Sequence, residues 1–147
     1  VEPTDSPLDD DQTYPLVLTS FRVIQLIGPQ NRNIPKLRSR QPDPFMEVHP
    51  DTAKAAGIAE GDWAFLENRY GRVRLLTRFN PSLDQRVVCA PYGWWQGCAE
   101  LGLPGQPPLA DNSANQNLLI ADRDIDPLSG SVPHRSTRCR LVAAKSS

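Results

Sequence analysis

Apolar and polar residues alternate along several short stretches of this chain, which is the pattern of β-strands with one buried and one exposed face. The clearest stretch is Arg72–Phe79, in which the odd-numbered positions hold Val, Leu, Thr and Phe while the even-numbered positions hold three Arg and one Leu. Turn-forming residues separate such stretches. The pattern predicts six strands, at Tyr14–Ser20, Phe45–Val48, Trp63–Asn68, Arg72–Phe79, Val87–Ala90 and Ser136–Ala143.

One clear helix is predicted, in the alanine-rich segment that follows His49. Pro50 suits the first position of a helix, and Asp51 suits the positive end of the helix dipole. Alanine is the best helix former, and Gly57 can adopt the left-handed conformation just past the helix end. We interpret His49 as a capping residue rather than a catalytic one.

The proline content supports a fold of short strands. Proline accounts for 15 of the 147 residues, which is roughly twice its usual share. Proline disfavours long helices and favours fixed loops. We therefore predict a mainly β fold, a closed barrel of about six strands with one or two short helices and long loops at one end.

The segment Pro91–Asn117 is unusual for a compact domain. Its 27 residues include the pair Trp94 and Trp95 and the run Asn-Ser-Ala-Asn-Gln-Asn that ends the segment. Structureless loops longer than about 12–15 residues are usually functional or disordered. Because two tryptophans argue against disorder, we expect this segment to carry function.

The ends of the chain differ in composition from the segment between them. Residues 1–13 hold five acidic residues and two prolines with little apolar content, which predicts a flexible acidic linker. We expect one domain over residues 14–143 and a disordered tail at 144–147. Since the chain begins with Val1 and contains a single methionine, we interpret it as processed, trimmed or cut from a larger protein, and composition does not choose among these.

Charge, hydropathy and cysteine content exclude several classes of protein. The net charge of −1 argues against a general nucleic-acid binder, which needs a basic excess. No apolar run approaches the roughly 20 residues of a membrane helix. The three cysteines predict neither a disulfide framework nor a zinc site, so we expect reduced thiols in a reducing compartment. A bridge between Cys89 and Cys98 remains an alternative.

The sequence lacks the usual arrangements of catalytic residues. The two histidines, His49 and His134, lie 85 positions apart, and neither a nucleophile elbow nor a P-loop is present. No spacing suggests metal ligation by side chains of this chain. Asp43 and Glu47 are interpreted as surface acids. We therefore predict no catalytic residue and no metal ligand here.

Hydrogen-bonding and cationic residues do occur in several of the predicted loops. Guanidinium groups match phosphate, and amides that both donate and accept match the edge of a pterin or purine. Each residue taken alone would more often be turn chemistry or a solvated charge. Together they predict a site for a large, polar, anionic ligand, formed by Thr19, Arg22, Asn31, Arg32, Asn115, Asn117 and Arg135.

The order of motifs resembles a known family. The motifs are Tyr-Pro-Leu-Val-Leu-Thr from Tyr14, Asn-Arg-Asn-Ile-Pro-Lys-Leu-Arg from Asn31, Pro-Asp-Pro-Phe-Met-Glu-Val-His-Pro from Pro42, Ala-Gly-Ile-Ala-Glu-Gly-Asp-Trp from Ala56, Ala-Pro-Tyr-Gly-Trp-Trp from Ala90, Asn-Gln-Asn-Leu-Leu from Asn115 and Asp-Pro-Leu-Ser-Gly from Asp126. In this order they resemble the C-terminal molybdopterin-dinucleotide-binding domain of the molybdopterin oxidoreductases, the family of formate dehydrogenases, nitrate reductases and dimethyl sulfoxide reductase. The resemblance runs from about Tyr14 to Val142. The Arg-Asn-Ile-Pro and Gly-Trp-Trp segments look most like the branch with acetylene-hydratase-like and formate-dehydrogenase-like members.

The resemblance implies a six-stranded double-psi β-barrel that contacts a bis(molybdopterin guanine dinucleotide) cofactor carrying molybdenum or tungsten. It implies that the metal and any iron–sulfur cluster are ligated by the pterins and by other domains of the same oxidoreductase chain, which are the expected partners. The seven polar residues above become the expected cofactor contacts, and the isolated domain is expected to be inactive. We expect no nucleic-acid binding, no membrane insertion and a cytoplasmic location, with the periplasm as the alternative.

One departure from the family pattern concerns the loop after the first strand. Family members commonly carry Thr-Gly-Arg there, whereas this chain has Thr19-Ser20-Phe21-Arg22. Loss of the glycine removes the residue that best permits close backbone approach to a ligand. Two other functions stay open: a free-standing β-barrel subunit or assembly factor that binds a protein through Trp94 and Trp95, and, with little support, a self-processing decarboxylase.

Overall fold

A computed structural model describes residues 12–121, 125–132 and 134–144. Apart from residues 12, 13 and 144, the predicted linker and tail lie outside the described residues. The described residues form six strands: β1 (Leu16–Phe21), β2 (Phe45–Val48), β3 (Trp63–Glu67), β4 (Arg72–Phe79), β5 (Val87–Pro91) and β6 (Thr137–Ala143). They also form four short helices: α1 (Pro35–Arg38), α2 (Pro50–Ala55) and two 3₁₀ helices, Ala99–Leu101 and Gln116–Leu119.

The six strands close into one barrel in the order β1-β5-β2-β4-β3-β6. The pairs β1–β5 and β2–β4 are parallel, and the other four pairs are antiparallel. Closure leaves no unpaired sheet edge, which is how small β-proteins avoid exposing backbone donors and acceptors. The predicted mainly β fold with a six-stranded barrel is thus confirmed.

The apolar residues whose alternation predicted the strands also fill the interior of the barrel. On β4, Val73, Leu75 and Thr77 are fully buried, and the residues between them point outward. Inward-facing side chains from the other strands complete the core, including Leu18, Met46, Val48, Leu66, Val88 and Cys139. Burial of these apolar groups stabilises the fold by about 25 cal/mol per Å² removed from water.

The strand directions bring several loops to one end of the barrel. Because β1 and β5 are parallel, Phe21 at the end of β1 pairs with Pro91 at the end of β5. Because β6 runs antiparallel to β1, Thr137 at the start of β6 pairs with Leu18. The loops that follow β1 and β5 and the loop that precedes β6 therefore open at the same end, which we call the mouth.

Most element boundaries agree with the prediction. The helix α2 begins after His49, whose ring nitrogen Nδ1 accepts a hydrogen bond from the backbone N–H of Asp51 at 3.2 Å, so the capping interpretation is confirmed. The helix α1 was not located by the sequence, because four residues are too few for a helical hydrophobic period to be visible. The two 3₁₀ helices went unpredicted for the same reason.

The cysteine and membrane predictions can also be compared with the structure. Cys89, Cys98 and Cys139 are all free thiols, so the alternative of a bridge between the first two is not realised. Across the described ranges, no helix has the length and apolar character that crossing a bilayer requires.

Candidate functional site

A pocket of about 380 Å³ opens at the mouth of the barrel. Its lining comes from four segments: the end of β1, the loop after β5, the start of the second 3₁₀ helix and the loop before β6. The described residues that line it are Ser20, Tyr92, Gly93, Trp95, Asn115, Gln116, Asn117, His134 and Arg135. Segments that are far apart in sequence therefore meet at one place.

The chemistry of this lining is polar and carries no acidic group among the described residues. Three side-chain amides, a serine hydroxyl and an imidazole can each exchange hydrogen bonds with a ligand, and Arg135 supplies a cation. Tyr92 and Trp95 add aromatic rings. Such a set can bind a ligand that joins a planar heterocycle to phosphate, because rings stack on aromatic side chains and phosphate pairs with guanidinium.

The amides of the second 3₁₀ helix are held in place by the protein. Asn115 accepts a hydrogen bond from the backbone N–H of Asn117 at 3.2 Å and donates its own amide N–H to the carbonyl of Pro108 at 3.0 Å. Gln116 donates to the carbonyl of Pro91 at 3.1 Å, which ties the helix to the end of β5. The polar wall of the pocket is therefore preorganised.

A glycine lets two loops approach each other beside the pocket. Gly93 has a φ of +82°, and a Cβ atom at this position would lie 2.6 Å from Cα of Pro29. Only glycine combines this backbone conformation with such a close approach. The loop after β5 can therefore pack directly on the loop that contains Gly28 and Pro29.

The sequence predicted three of the residues that the structure brings into this pocket. Asn115, Asn117 and Arg135 all line it. Asn117 and Arg135 are exposed to solvent, whereas the side chain of Asn115 is largely buried. Direct contact between these three residues and a ligand remains a prediction.

The other four predicted contacts are described residues that do not line the pocket. Thr19 is half-buried on β1 opposite Cys89, and Arg22 is exposed just past the end of that strand. Asn31 has a φ of +67°, a conformation that asparagine adopts more readily than most residues, and its carbonyl accepts from the N–H of Ile34 at 3.3 Å. Their roles as contacts also remain predictions.

Arg32, the fourth of these, is almost fully buried, with 1% of its surface exposed. Its guanidinium donates to the carbonyl of Gly28 and, at 2.7 Å, to the carbonyl of Tyr92. Burial, reinforced by the nearby charge of Arg38, lowers the pKa of Arg32 to about 10, so the side chain is still cationic at neutral pH. In this structure Arg32 links two loops behind the pocket.

The structure explains why the Thr-Ser-Phe-Arg segment does without the glycine of the family pattern. Ser20 and Phe21 continue β1 as extended backbone, paired with Ala90 and Pro91. The ring of Phe21 packs edge-on against Phe45, with 5.5 Å between centroids. This segment is extended, so none of its residues needs a left-handed backbone conformation. Ser20 lines the pocket.

Sequence reasoning missed six lining residues: Ser20, Tyr92, Gly93, Trp95, Gln116 and His134. A signal existed for two of them, because Gln116 lies between two predicted contacts and His134 precedes a third. A weaker signal existed for the others, because Ser20 follows the predicted contact Thr19, and Tyr92, Gly93 and Trp95 lie in the segment predicted to carry function. Only the pairing of β1 with β5 shows that they meet at the mouth.

The comparisons with known proteins agree with this architecture. The family model "Molydopterin dinucleotide binding domain" matches residues 16–138. A dopamine dehydroxylase from Eggerthella lenta is 32% identical over 97 residues, which cover 64% of this chain and 10% of that protein. A sulfite dehydrogenase from Allochromatium vinosum is 24% identical over 155 aligned residues, which cover 98% of this chain and 16% of the matched polypeptide.

A solved structure shares the fold as well. Acetylene hydratase from Pelobacter acetylenicus superposes with a TM-score of 0.76 and 25% identity, covering 91% of this chain and 19% of that enzyme. This chain therefore spans between about a tenth and a fifth of the length of these relatives. Because the family model matches most of the barrel and its loops, the chain belongs to the molybdopterin dinucleotide binding domain family.

Proposed function

We propose that this chain is the C-terminal cofactor-binding domain of a molybdenum or tungsten oxidoreductase, in which it holds and buries part of a bis(molybdopterin guanine dinucleotide) cofactor. The observation that carries the proposal is the pocket at the mouth, where amides, aromatic rings and a cation converge without an acidic lining residue in the described part of the chain. A carboxylate there would repel a phosphorylated ligand.

The donor set suits the proposed ligand. Pterin and guanine edges each present donors and acceptors side by side, which side-chain amides can match. A pocket of about 380 Å³ is at the small end of ligand sites, which run from about 300 to 1,000 Å³. It has room for one portion of a dinucleotide, so other domains would form the remaining walls.

Each residue has a distinct role in this proposal. The amides of Asn115 and Asn117 bind the edge of a heterocycle, and the cations Arg135 and Arg22 offset phosphate charge at the rim. Thr19 and Asn31 complete the proposed contacts, and Arg32, which is buried behind the pocket, acts through the two loops that it joins. The bound cofactor supplies the redox chemistry, while this chain supplies binding, orientation and exclusion of water.

The proposal includes the partners and the compartment. Other domains of the same oxidoreductase chain would ligate the metal and any iron–sulfur cluster, so we expect the isolated chain to show no turnover. Among the described residues, no three His, Cys, Asp or Glu side chains lie close enough together to hold a metal ion. Three free thiols support a reducing location such as the cytoplasm.

The alternative of a separate β-barrel module that binds proteins through its tryptophans has less support. Trp94 is 3% exposed and Trp95 is partly buried in the pocket wall, so neither offers the open aromatic surface of an interface anchor. Mass measurement of the native protein separates the two proposals, because a cofactor-binding domain of an oxidoreductase belongs to a polypeptide several times longer than 147 residues.

Substitution of Arg135 tests the proposal in the full-length enzyme. Arg135→Gln removes a charge-assisted hydrogen bond of about 1.5–3 kcal/mol, so we expect the cofactor to bind at least about tenfold more weakly. The measurement is the pterin content, by fluorescence after oxidation, as free cofactor is removed by dialysis. Arg86→Gln is the matched control, because Arg86 lies at the other end of β5 and pairs with Asp84. Equal cofactor retention in both variants would contradict the proposal.

A further inference from the structure

Two buried arginines lie against the indole ring of Trp94. The guanidinium carbon of Arg32 is 4.5 Å from the centroid of the Trp94 ring, and that of Arg38 is 4.8 Å from it. The exposed fractions are 1% for Arg32, 3% for Trp94 and 5% for Arg38. Arginines stack well on tryptophan, and the attraction grows when water is excluded.

The hydrogen bonds of these arginines reach backbone carbonyls on two separate loops. Arg38 donates to the carbonyl of Pro42 at 2.8 Å and to that of Gln96 at 3.0 Å. Arg32 donates to the carbonyls of Gly28 and Tyr92. Each arginine therefore joins the loop over residues 28–42 to the loop after β5. The carbonyls that they reach on the second loop, those of Tyr92 and Gln96, precede and follow Trp94 along the chain.

This arrangement costs free energy in the absence of a ligand. Burial lowers the pKa of both arginines, and the charge of Arg38 lowers that of Arg32 further, while Cys98 and Asp43 offset only part of the effect at Arg38. No ion pair of either guanidinium occurs among the described residues, although Asp43 is near enough to Arg38 to raise its pKa. Two buried like charges without an ion pair are expensive compared with apolar side chains of similar size. Packing alone is therefore a poor explanation for two arginines at these positions.

The cluster holds the segments that form the pocket wall. Tyr92, Gly93 and Trp95, all of which line the pocket, are the immediate neighbours of Trp94 along the chain. Trp94 also forms an antiparallel bridge with Ala114, the residue before Asn115. The cluster thus lies behind the pocket and connects to both its aromatic wall (Tyr92 and Trp95) and its amide wall (residues 115–117). Arg38 itself is not a lining residue.

We propose that Arg38 is a positioning residue for the cofactor pocket, which together with Arg32 clamps Trp94 and so sets the places of the aromatic and amide walls. This inference rests on the proposed function, because the pocket is taken to be the cofactor site. Arg32, Arg38 and Trp94 do not belong to the strands of the barrel, so we expect loss of the clamp to loosen the mouth while the strands stay paired. The ligand class that it serves is the planar, phosphorylated ring system of that pocket.

The experiment compares Arg38→Met with Arg40→Met in the full-length enzyme. Arg40 is exposed two residues further along and serves as the matched control. In cofactor-free protein, amide hydrogen exchange over residues 92–97 and 113–117 should be at least about tenfold faster in Arg38→Met, the change expected when one charge-assisted hydrogen bond is lost. Exchange in β3 should be unchanged.

Two further readouts separate positioning from general destabilisation. In loaded enzyme, Arg38→Met should lower cofactor retention and broaden the electron paramagnetic resonance signal of the bound metal into a mixture of environments. Arg38→Lys keeps the charge but cannot bridge two carbonyls while stacked flat on the indole, so we expect at most partial rescue. If Arg38→Met does not fold, the same measurements on Arg38→Lys decide the matter.

The outcomes distinguish this inference from the proposed function. Wild-type enzyme that binds no molybdopterin would refute the proposed function, whatever the exchange rates. Wild-type enzyme that is fully loaded, with unchanged loop exchange, retention and resonance signal in Arg38→Met, would overturn the clamp alone. Faster loop exchange with unchanged retention and signal would also overturn it, because the loops would then move without affecting the pocket.

Discussion

At the scale of single residues, side-chain identity matters most where loops of the mouth pack against each other. Gly93 permits a contact that no other residue would tolerate, and Arg32 uses its guanidinium to join backbone carbonyls rather than to face solvent. The sequence identified Arg32 as important from its chemistry. Its place behind the pocket depended on burial, which the local sequence does not encode.

Alanine substitution of two glycines separates backbone strain from a steric clash. Gly93 and Gly61 both have a φ of +82°, but a Cβ atom at Gly61 meets nothing within 4 Å. We expect Gly61→Ala to lower the free energy of unfolding by about 1–2 kcal/mol through strain alone. Gly93→Ala should cost more, because the chain must also move away from Pro29. Denaturant unfolding of both variants measures the difference, and equal costs would contradict this account.

At the scale of elements, the strands and the helix α2 follow from local pattern, whereas the shortest elements do not. The alternation in β4 and the Pro-Asp start of α2 are complete within the element. By contrast α1 has only four residues, and its last residue, Arg38, donates to the distant carbonyl of Gln96. Such an element is stabilised mainly by tertiary contacts, since an isolated helix of this length does not form in water.

The cap of α2 provides a prediction at this scale. The imidazole Nδ1 of His49 accepts the N–H of Asp51, so His49→Ala should lower the free energy of unfolding by about 0.5–2 kcal/mol. His49→Asn restores an acceptor and should recover most of the loss. Thermal unfolding at neutral pH compares the two variants. Since α2 is remote from the pocket lining, cofactor retention should be unaffected, and an equal effect of both substitutions would rule out capping.

At the scale of the whole molecule, barrel closure accounts for both stability and the location of the site. The closed strand order buries a continuous core and brings the ends of β1 and β5 to the mouth together with the start of β6. The long loops add a few residues to this core, including Leu26, Trp94 and Ala114, and carry polar groups at the mouth. This division between a rigid barrel and functional loops is common where binding residues lie on connections rather than on strands.

The closed core also predicts a pH dependence of stability. Burial raises the pKa of the Cys139 thiol from 9.0 to about 12. The unfolded chain therefore loses this proton at lower pH than the folded chain does. The corresponding stability is fully present below about pH 9 and is lost as the pH rises towards 12. Urea unfolding from pH 8 to 11 should show this decline, and Cys139→Ala should be less stable at pH 8 but decline less steeply. Parallel curves would contradict the prediction.

The sequence by itself determined the strands, the helix α2, the family resemblance and the residue types that suit a phosphorylated heterocycle. These depend on periods and motifs that lie within a few consecutive residues. Only the tertiary structure decided which polar residues meet: Asn115, Asn117 and Arg135 share the pocket, whereas Arg32 stacks on Trp94 behind it. The physical reason is that strand pairing brings together residues as far apart in sequence as Ser20 and Arg135, and burial then determines whether a charge faces a ligand or the backbone.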